Sequence, residues 1–142
     1  MISYPAKITY IKSDSSYLVE FPDLPGCLTE GGTLDEAKVN AREALSGYLA
    51  SIFERNFKIP KASSQRGKGV YMIEPEPEIA VPIFLRRMRE LNRLTQEDVA
   101  RQLGISYQTY QRLENPAKSN PTIKTLDKLA KVFDKELHLD FA

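Results

Sequence analysis

Tryptophan is absent from the chain, and cysteine and histidine occur once each, as Cys27 and His138. A single thiol excludes an internal disulfide and a multi-cysteine metal site, and a single imidazole excludes a histidine cluster. Nucleophilic catalysis by Cys27 would need a nearby base, and the only histidine lies near the other end of the chain. Long apolar runs are missing too. None approaches the roughly 18 consecutive apolar residues of a membrane span, so no membrane partner is expected. The opening MISYPAKITY has no basic patch followed by an apolar stretch, so it is no secretory signal, and a cytoplasmic location is expected. Net charge is nearly absent at +1, but it divides unevenly. Residues 1 to 78 hold nine Lys/Arg and eleven Asp/Glu, net −2, whereas residues 79 to 142 hold eleven and eight, net +3. The second half is therefore the candidate for nucleic acid.

A length of 142 residues suits one compact domain or two small ones. Near the start, Ala6-Ile8-Tyr10 and Tyr17-Val19-Phe21 alternate on either side of the polar turn Lys12 to Ser16, which predicts a β-hairpin. Cys27 to Glu30 reads as a short third strand, broken by Gly31-Gly32. Thr33 with Glu36 has capping-box spacing, and a helix follows from about Leu34 to Phe53 with apolar residues recurring every three or four positions. Asn56 to Gly69 is polar and reads as a loop, and Val70 to Ile73 as a last strand. Glu74-Pro75-Glu76-Pro77-Glu78 alternates proline with glutamate, which predicts extended backbone. The expected organisation is a domain over 1–75, a linker over 76–80, and a second domain over 81–142. Helices are expected over Pro82–Leu91, Gln96–Leu103, Ser106–Asn115 and Ile123–Phe133. The tail Glu136 to Phe141 alternates Leu137, Leu139 and Phe141 and is expected to be a strand. A lone strand needs a partner, and a second copy of the same strand would supply one, giving a dimer or tetramer; docking onto its own chain is the alternative.

The strongest local signal is LTQEDVARQLGISYQTYQRLEN. Thr95 is placed to cap a helix whose Val99, Ala100 and Leu103 face inward, Gly104 closes the turn, Ile105 fills the core, and Ser106 caps the next helix. Tyr110 and Leu113 are spaced to bury, which leaves Tyr107, Gln108, Thr109, Gln111 and Arg112 outside. Gln and Arg suit bidentate contacts with base edges. A bundle that merely solvates these residues, or a helix-turn-helix used for protein contacts, is the competing reading. The stretch resembles the Xre/Cro-type helix-turn-helix family from about Phe84 through Phe133. The resemblance implies that Gln96 contacts phosphate and that Asn115 lies near the DNA backbone. It implies base reading by Tyr107, Gln108 and Gln111, joined by Arg112, with Ser106, Thr109 and Lys118 also at the operator double-stranded DNA. Pro116 stands where a glycine commonly follows LEN.

FPDLPGC, residues 21 to 27, offers one carboxylate and one thiol. Metal-dependent nuclease chemistry would need converging carboxylates, but Asp14, Glu20, Asp23 and Glu30 fall in separate turns, loops and strand ends. Read plainly, Pro22 and Pro25 stiffen a turn, Gly26 gives it backbone freedom, and Cys27 is a small buried hydrophobe. YLVEFPDLPGCLTEGGTLDEAKVNAREAL resembles the HicB antitoxin family, through Phe21 to Gly26, Gly32, Thr33, Glu36, Ala37 and Ala44. The resemblance implies a degenerate ribonuclease-H-like sheet and helix that has lost catalysis and covers HicA, a small messenger-RNA-cleaving toxin. Many members carry a C-terminal DNA-binding domain. The expected fold class is therefore α+β, an antiparallel sheet with a helix followed by an all-α helix-turn-helix domain with a C-terminal strand. The expected protein is an antitoxin and autorepressor without enzymatic activity, cofactor or metal. Tyr17, Phe21, Asp23 and Leu24 are the toxin-contact candidates, and Leu137, Leu139 and Phe141 the dimerisation candidates. The alternatives are a stand-alone regulator whose first domain binds a ligand or protein, and a metal-dependent nuclease.

Overall fold

The computed structural model describes residues 2–142. The chain divides into two compact units, one ending at Ala80 and the other spanning Val81–Ala142. In the first, β1 (Tyr4–Ile11) and β2 (Ser16–Glu20) form an antiparallel hairpin in register from Lys7 opposite Glu20 to Ile11 opposite Ser16. β3 (Leu28–Gly31) pairs with the outer edge of β2, and β4 (Val70–Ile73) with the other edge of β1. The strand order is thus β3-β2-β1-β4, antiparallel throughout. Period-two alternation sends Tyr4, Ala6, Ile8 and Val19 into the core.

Against this sheet lies α1 (Leu34–Glu54), whose Ala37, Ala41, Leu45 and Leu49 recur every four residues and are fully buried. Thr33 Oγ1 accepts from the Glu36 amide at 3.1 Å and so starts the helix. The Glu36 carboxylate reaches back one residue further than the reciprocal box expected from sequence and accepts from the Gly32 amide at 2.9 Å. Small residues allow the close fit. A Cβ on Gly31 would lie 2.7 Å from Ala37 Cα, so strand and helix meet backbone to backbone there.

The expected extended linker is corrected. Only Glu74–Glu76 lacks regular structure, and α2 (Pro77–Leu91) begins inside the proline-glutamate repeat. Proline at the first helical position sacrifices no hydrogen bond, because the amide it lacks would have no partner there. Glu76 is itself anchored: its amide donates to Ser46 Oγ at 2.8 Å and its carboxylate lies 3.2 Å from Arg42 Nε.

The second unit adds α3 (Gln96–Leu103), α4 (Tyr107–Leu113) and α5 (Ile123–Val132). Its core is Leu85, Val99, Ala100, Tyr110, Leu113, Leu129 and Phe133. The tail departs from expectation. Glu136–Phe141 forms no strand, and along it Leu137 is partly buried while Leu139 is 64% and Phe141 fully exposed. The reason is that a strand exists only with a ladder partner, and no free edge of the same unit offers one. Asp134, in the left-handed conformation at φ 56°, turns the chain off the end of α5, and the Lys135 amide closes the turn on the Ala130 carbonyl at 2.8 Å.

Candidate nucleic-acid interface

The helix-turn-helix is built from caps. Thr95 and Asp98 exchange bonds at the start of α3, Thr95 Oγ1 accepting from the Asp98 amide at 3.0 Å and Asp98 Oδ2 from the Thr95 amide at 2.8 Å. That hydrogen bond from the Thr95 amide, more than the nearby Arg101, holds the Asp98 carboxyl below its ordinary pKa. Gly104 ends the helix at φ 70°, and Ser106 Oγ caps α4 by accepting from the Thr109 amide at 3.1 Å.

On α4, Tyr110 and Leu113 point into the core while Tyr107, Gln108, Thr109, Gln111 and Arg112 are exposed. The structure therefore brings these five together on one open surface. Two of them are mutually braced: Gln111 Nε2 donates to the Tyr107 hydroxyl at 2.8 Å. Ser106 and Thr109 spend their hydroxyls on each other and on the cap, 2.8 Å apart, which makes them positioning groups for α4. Asn115 Oδ1 accepts from the Ala117 amide at 3.0 Å and shapes the turn that Pro116 enters, leaving Lys118 exposed beside it.

Glu114 was not singled out by sequence, yet it is 1% exposed and central. Its carboxylate binds Arg89 through two parallel contacts, from Nε at 2.6 Å and Nη2 at 3.1 Å. It also accepts from the Tyr110 hydroxyl at 2.6 Å and from Gln96 Nε2 at 2.9 Å. Arg89 Nη1 further donates to the Leu94 carbonyl at 3.0 Å. The hydrogen bond to Glu114 raises the Arg89 pKa, and burial followed by that same carboxylate raises the pKa of Tyr110. One buried carboxylate thereby fixes α2, α3 and α4 to each other. It also orients Gln96 at the start of α3, whose side-chain nitrogen retains a second hydrogen for another acceptor. The signal for it in sequence was the four-residue step from Tyr110 to Glu114, but a glutamate at a helix end reads first as solvated.

In the first unit, FPDLPGC is a turn folded into the core. The Leu24 amide donates to the Phe21 carbonyl at 3.0 Å and the Cys27 amide to the Leu24 carbonyl at 3.0 Å, with Gly26 at φ 85° between them. Phe21 is 3% exposed and Leu24 fully buried, which corrects their assignment as partner contacts: paired turns roll both side chains inward. Asp23 Oδ2 is engaged by the Ser63 amide at 2.8 Å and the Ser63 hydroxyl at 3.0 Å, so it anchors the 56–69 loop. Of the four candidates Tyr17 is the partly exposed aromatic, its ring 5.0 Å from that of Tyr10, which is 52% exposed. Burial pushes the Cys27 thiol up to about 11, away from a reactive thiolate. Among the described residues no three acidic, histidine or cysteine side chains group to hold a metal ion, and no helix is long and apolar enough to cross a membrane.

Charge in this unit is segregated. Residues 55–69 carry Arg55, Lys58, Lys61, Arg66 and Lys68 and no acid, leaving four cations against eleven carboxylates, net −7, on the rest of residues 1–78.

Two family models match the chain: one described as HicB-like antitoxin of bacterial toxin-antitoxin system over residues 4–79, the other as helix-turn-helix over residues 85–139. Antitoxin HicB of Escherichia coli (strain K12) is 32% identical over 136 residues, covering 96% of each chain. Antitoxin HicB 2 of Photorhabdus laumondii is 31% identical over 136 residues, covering 96% of this chain and 94% of the relative. A solved structure of the Burkholderia pseudomallei antitoxin HicB aligns at 19% identity with a TM-score of 0.47, covering 73% of this chain and 96% of that one.

Proposed function

Since the chain belongs to the HicB-like antitoxin family, we propose that it neutralises a HicA-type messenger-RNA-cleaving toxin by direct binding and represses its own operon through the helix-turn-helix unit. The observation that carries this reading is that the likeness to HicB antitoxins runs through both units in the same order, over 136 residues. The chemistry of each unit supports it. The sheet-and-helix unit has a buried, poorly ionising thiol and scattered carboxylates, which suits a protein-binding module and not an enzyme. Its body, at net −7, complements a protein that must be basic to grip RNA. The toxin-facing surface includes the turn end of the hairpin at Tyr10 and Tyr17, which continue the sheet face of Ile8 and Val19 and are exposed and half-buried there, with Asp23 acting through the loop it anchors.

At the operator, Gln108, Gln111, Arg112 and Tyr107 read bases. Gln96, Asn115 and Lys118 hold phosphates, and Ser106 and Thr109 fix the angle of α4. A dimer built through the tail, with Leu137, Leu139 and Phe141 at its interface, would place two α4 helices on the half-sites of a palindrome, about 34 Å apart. Co-expression of tagged protein with the product of an adjacent short, basic reading frame tests the central claim. A stoichiometric complex and rescue of growth arrest are expected; no complex and no toxicity would leave a stand-alone regulator instead.

A further inference from the structure

The second unit carries a groove of about 430 Å³ between the C-terminal parts of α3 and α5, lined by Gln102, Leu103, Lys128, Lys131 and Val132. Its apolar surface comes from Leu103 and Val132, both partly buried against the core, and two lysines stand on its wall. Lys128 is exposed, and Lys131 makes only a surface pair with Asp127 on its own helix, at 2.9 Å. The same unit ends in a segment of complementary character. Glu136-Leu137-His138-Leu139-Asp140-Phe141 alternates apolar residues with a face bearing two carboxylates, and its Leu139 and Phe141 have no cover.

Resting on the dimer reading above, we infer that the α3–α5 groove is the docking site for the tail of a second copy of this chain, and that two copies exchange tails reciprocally. Three features argue for this occupant. The turn at Asp134 carries the chain off α5, and beyond the partly buried Leu137 it leaves Leu139 and Phe141 uncovered. Extended at roughly 3.3 Å per residue, the six residues from Glu136 to Phe141 span about 20 Å, enough to cross to a neighbour. Leu139 and Phe141 then cover Leu103 and Val132, while the stems of Lys128 and Lys131 lift their ammonium groups to the level of Glu136 and Asp140. With one groove and one tail on every chain, a two-fold arrangement satisfies both tails at once and closes the exchange at two copies.

Crosslinking of the full chain tests the geometry. Gln102→Cys and Phe141→Cys are made separately, one with a size tag, and mixed under mild oxidant; native Cys27 is buried and does not compete. A mixed-size Q102C–F141C band is expected. Exclusive F141C–F141C bands, no interchain band, or an intrachain bridge in the double variant would each overturn the proposal. Sedimentation provides the second readout: Lys128→Glu with Lys131→Glu is expected to weaken dimerisation by about tenfold, and Asp140→Lys to restore part of it. If the unmodified protein is a monomer that still binds its operator, the dimer reading itself fails. If it is a dimer that ignores the lysine reversals, only the groove assignment fails.

Discussion

Removing the Glu114 carboxylate takes an acceptor from Arg89, Tyr110 and Gln96 at once, and leaves a guanidinium whose side chain is only 13% exposed without its counter-charge. Glu114→Ala is therefore expected to destabilise the second unit by about 3 kcal/mol, read from urea denaturation followed by circular dichroism. Glu114→Gln should cost less, because it keeps one acceptor, and an unchanged midpoint for the alanine variant would mean the network is energetically idle. Cys27 gives a pH signature of opposite origin. Its folded pKa, near 11, lies above the ordinary 9.0, so its contribution to stability is complete below pH 9.0 and is lost as pH rises towards 11. Cys27→Ala should remove that alkaline loss. At pH 8 a thiol reagent should label the native protein far more slowly than the urea-unfolded one, and equal rates would contradict the burial.

Periodicity made the elements legible. Leu34 to Glu54 announces its buried stripe by recurring alanines and leucines, and Thr95, Gly104 and Ser106 mark the ends of α3 and the start of α4. Two elements were misread for physical reasons. Pro77 looks like a helix breaker, but at the first helical position it breaks nothing. ELHLDF has the alternation of a strand, but pattern states which face could be buried and not whether a partner is present. Among the site residues, α4 exposed the polar set its spacing implied, whereas Phe21 and Leu24 went inward because a turn can bury what a strand end would display. At this scale Gly31→Ala is the informative change. The added methyl meets the backbone of Ala37, so β3 and α1 must separate, at an expected cost of about 1–3 kcal/mol in thermal or chemical unfolding. The capping box of α3 adds an acid-side test. The folded pKa of Asp98 is depressed, so its contribution is present above 3.8 and is lost as pH falls below it. Asp98→Asn should flatten that part of the stability profile.

For the molecule as a whole, the unequal division of charge yields expectations at both ends. Operator binding by the second unit should weaken steeply as salt rises, and Lys118→Ala should lower affinity across all sequences while reducing the salt slope by about one. Arg112→Ala or Gln108→Ala should instead relax the preference for particular bases, measured by binding to a panel of operator variants. Equal losses on all sequences would move those side chains from the bases to the backbone.

The loop from Asn56 to Gly69 bears on how long each copy lasts. It has no regular structure over most of its length, and it is held by Tyr4 on the Pro60 carbonyl at 2.6 Å, by Asp23 on Ser63, and by the Gly69 carbonyl accepting from the Ile8 amide at 2.8 Å. Its Lys58, Lys61, Arg66 and Lys68 are exposed, and a cut at any of them severs the covalent link between β4 and β1, the one strand it pairs with. Survival against a protease is then governed by the release of a few hydrogen bonds and not by global unfolding. A substitution such as Asp23→Ala could leave the melting temperature nearly untouched and still shorten the protein's life, so that its abundance is set at the surface of a fold whose stability is set in the core.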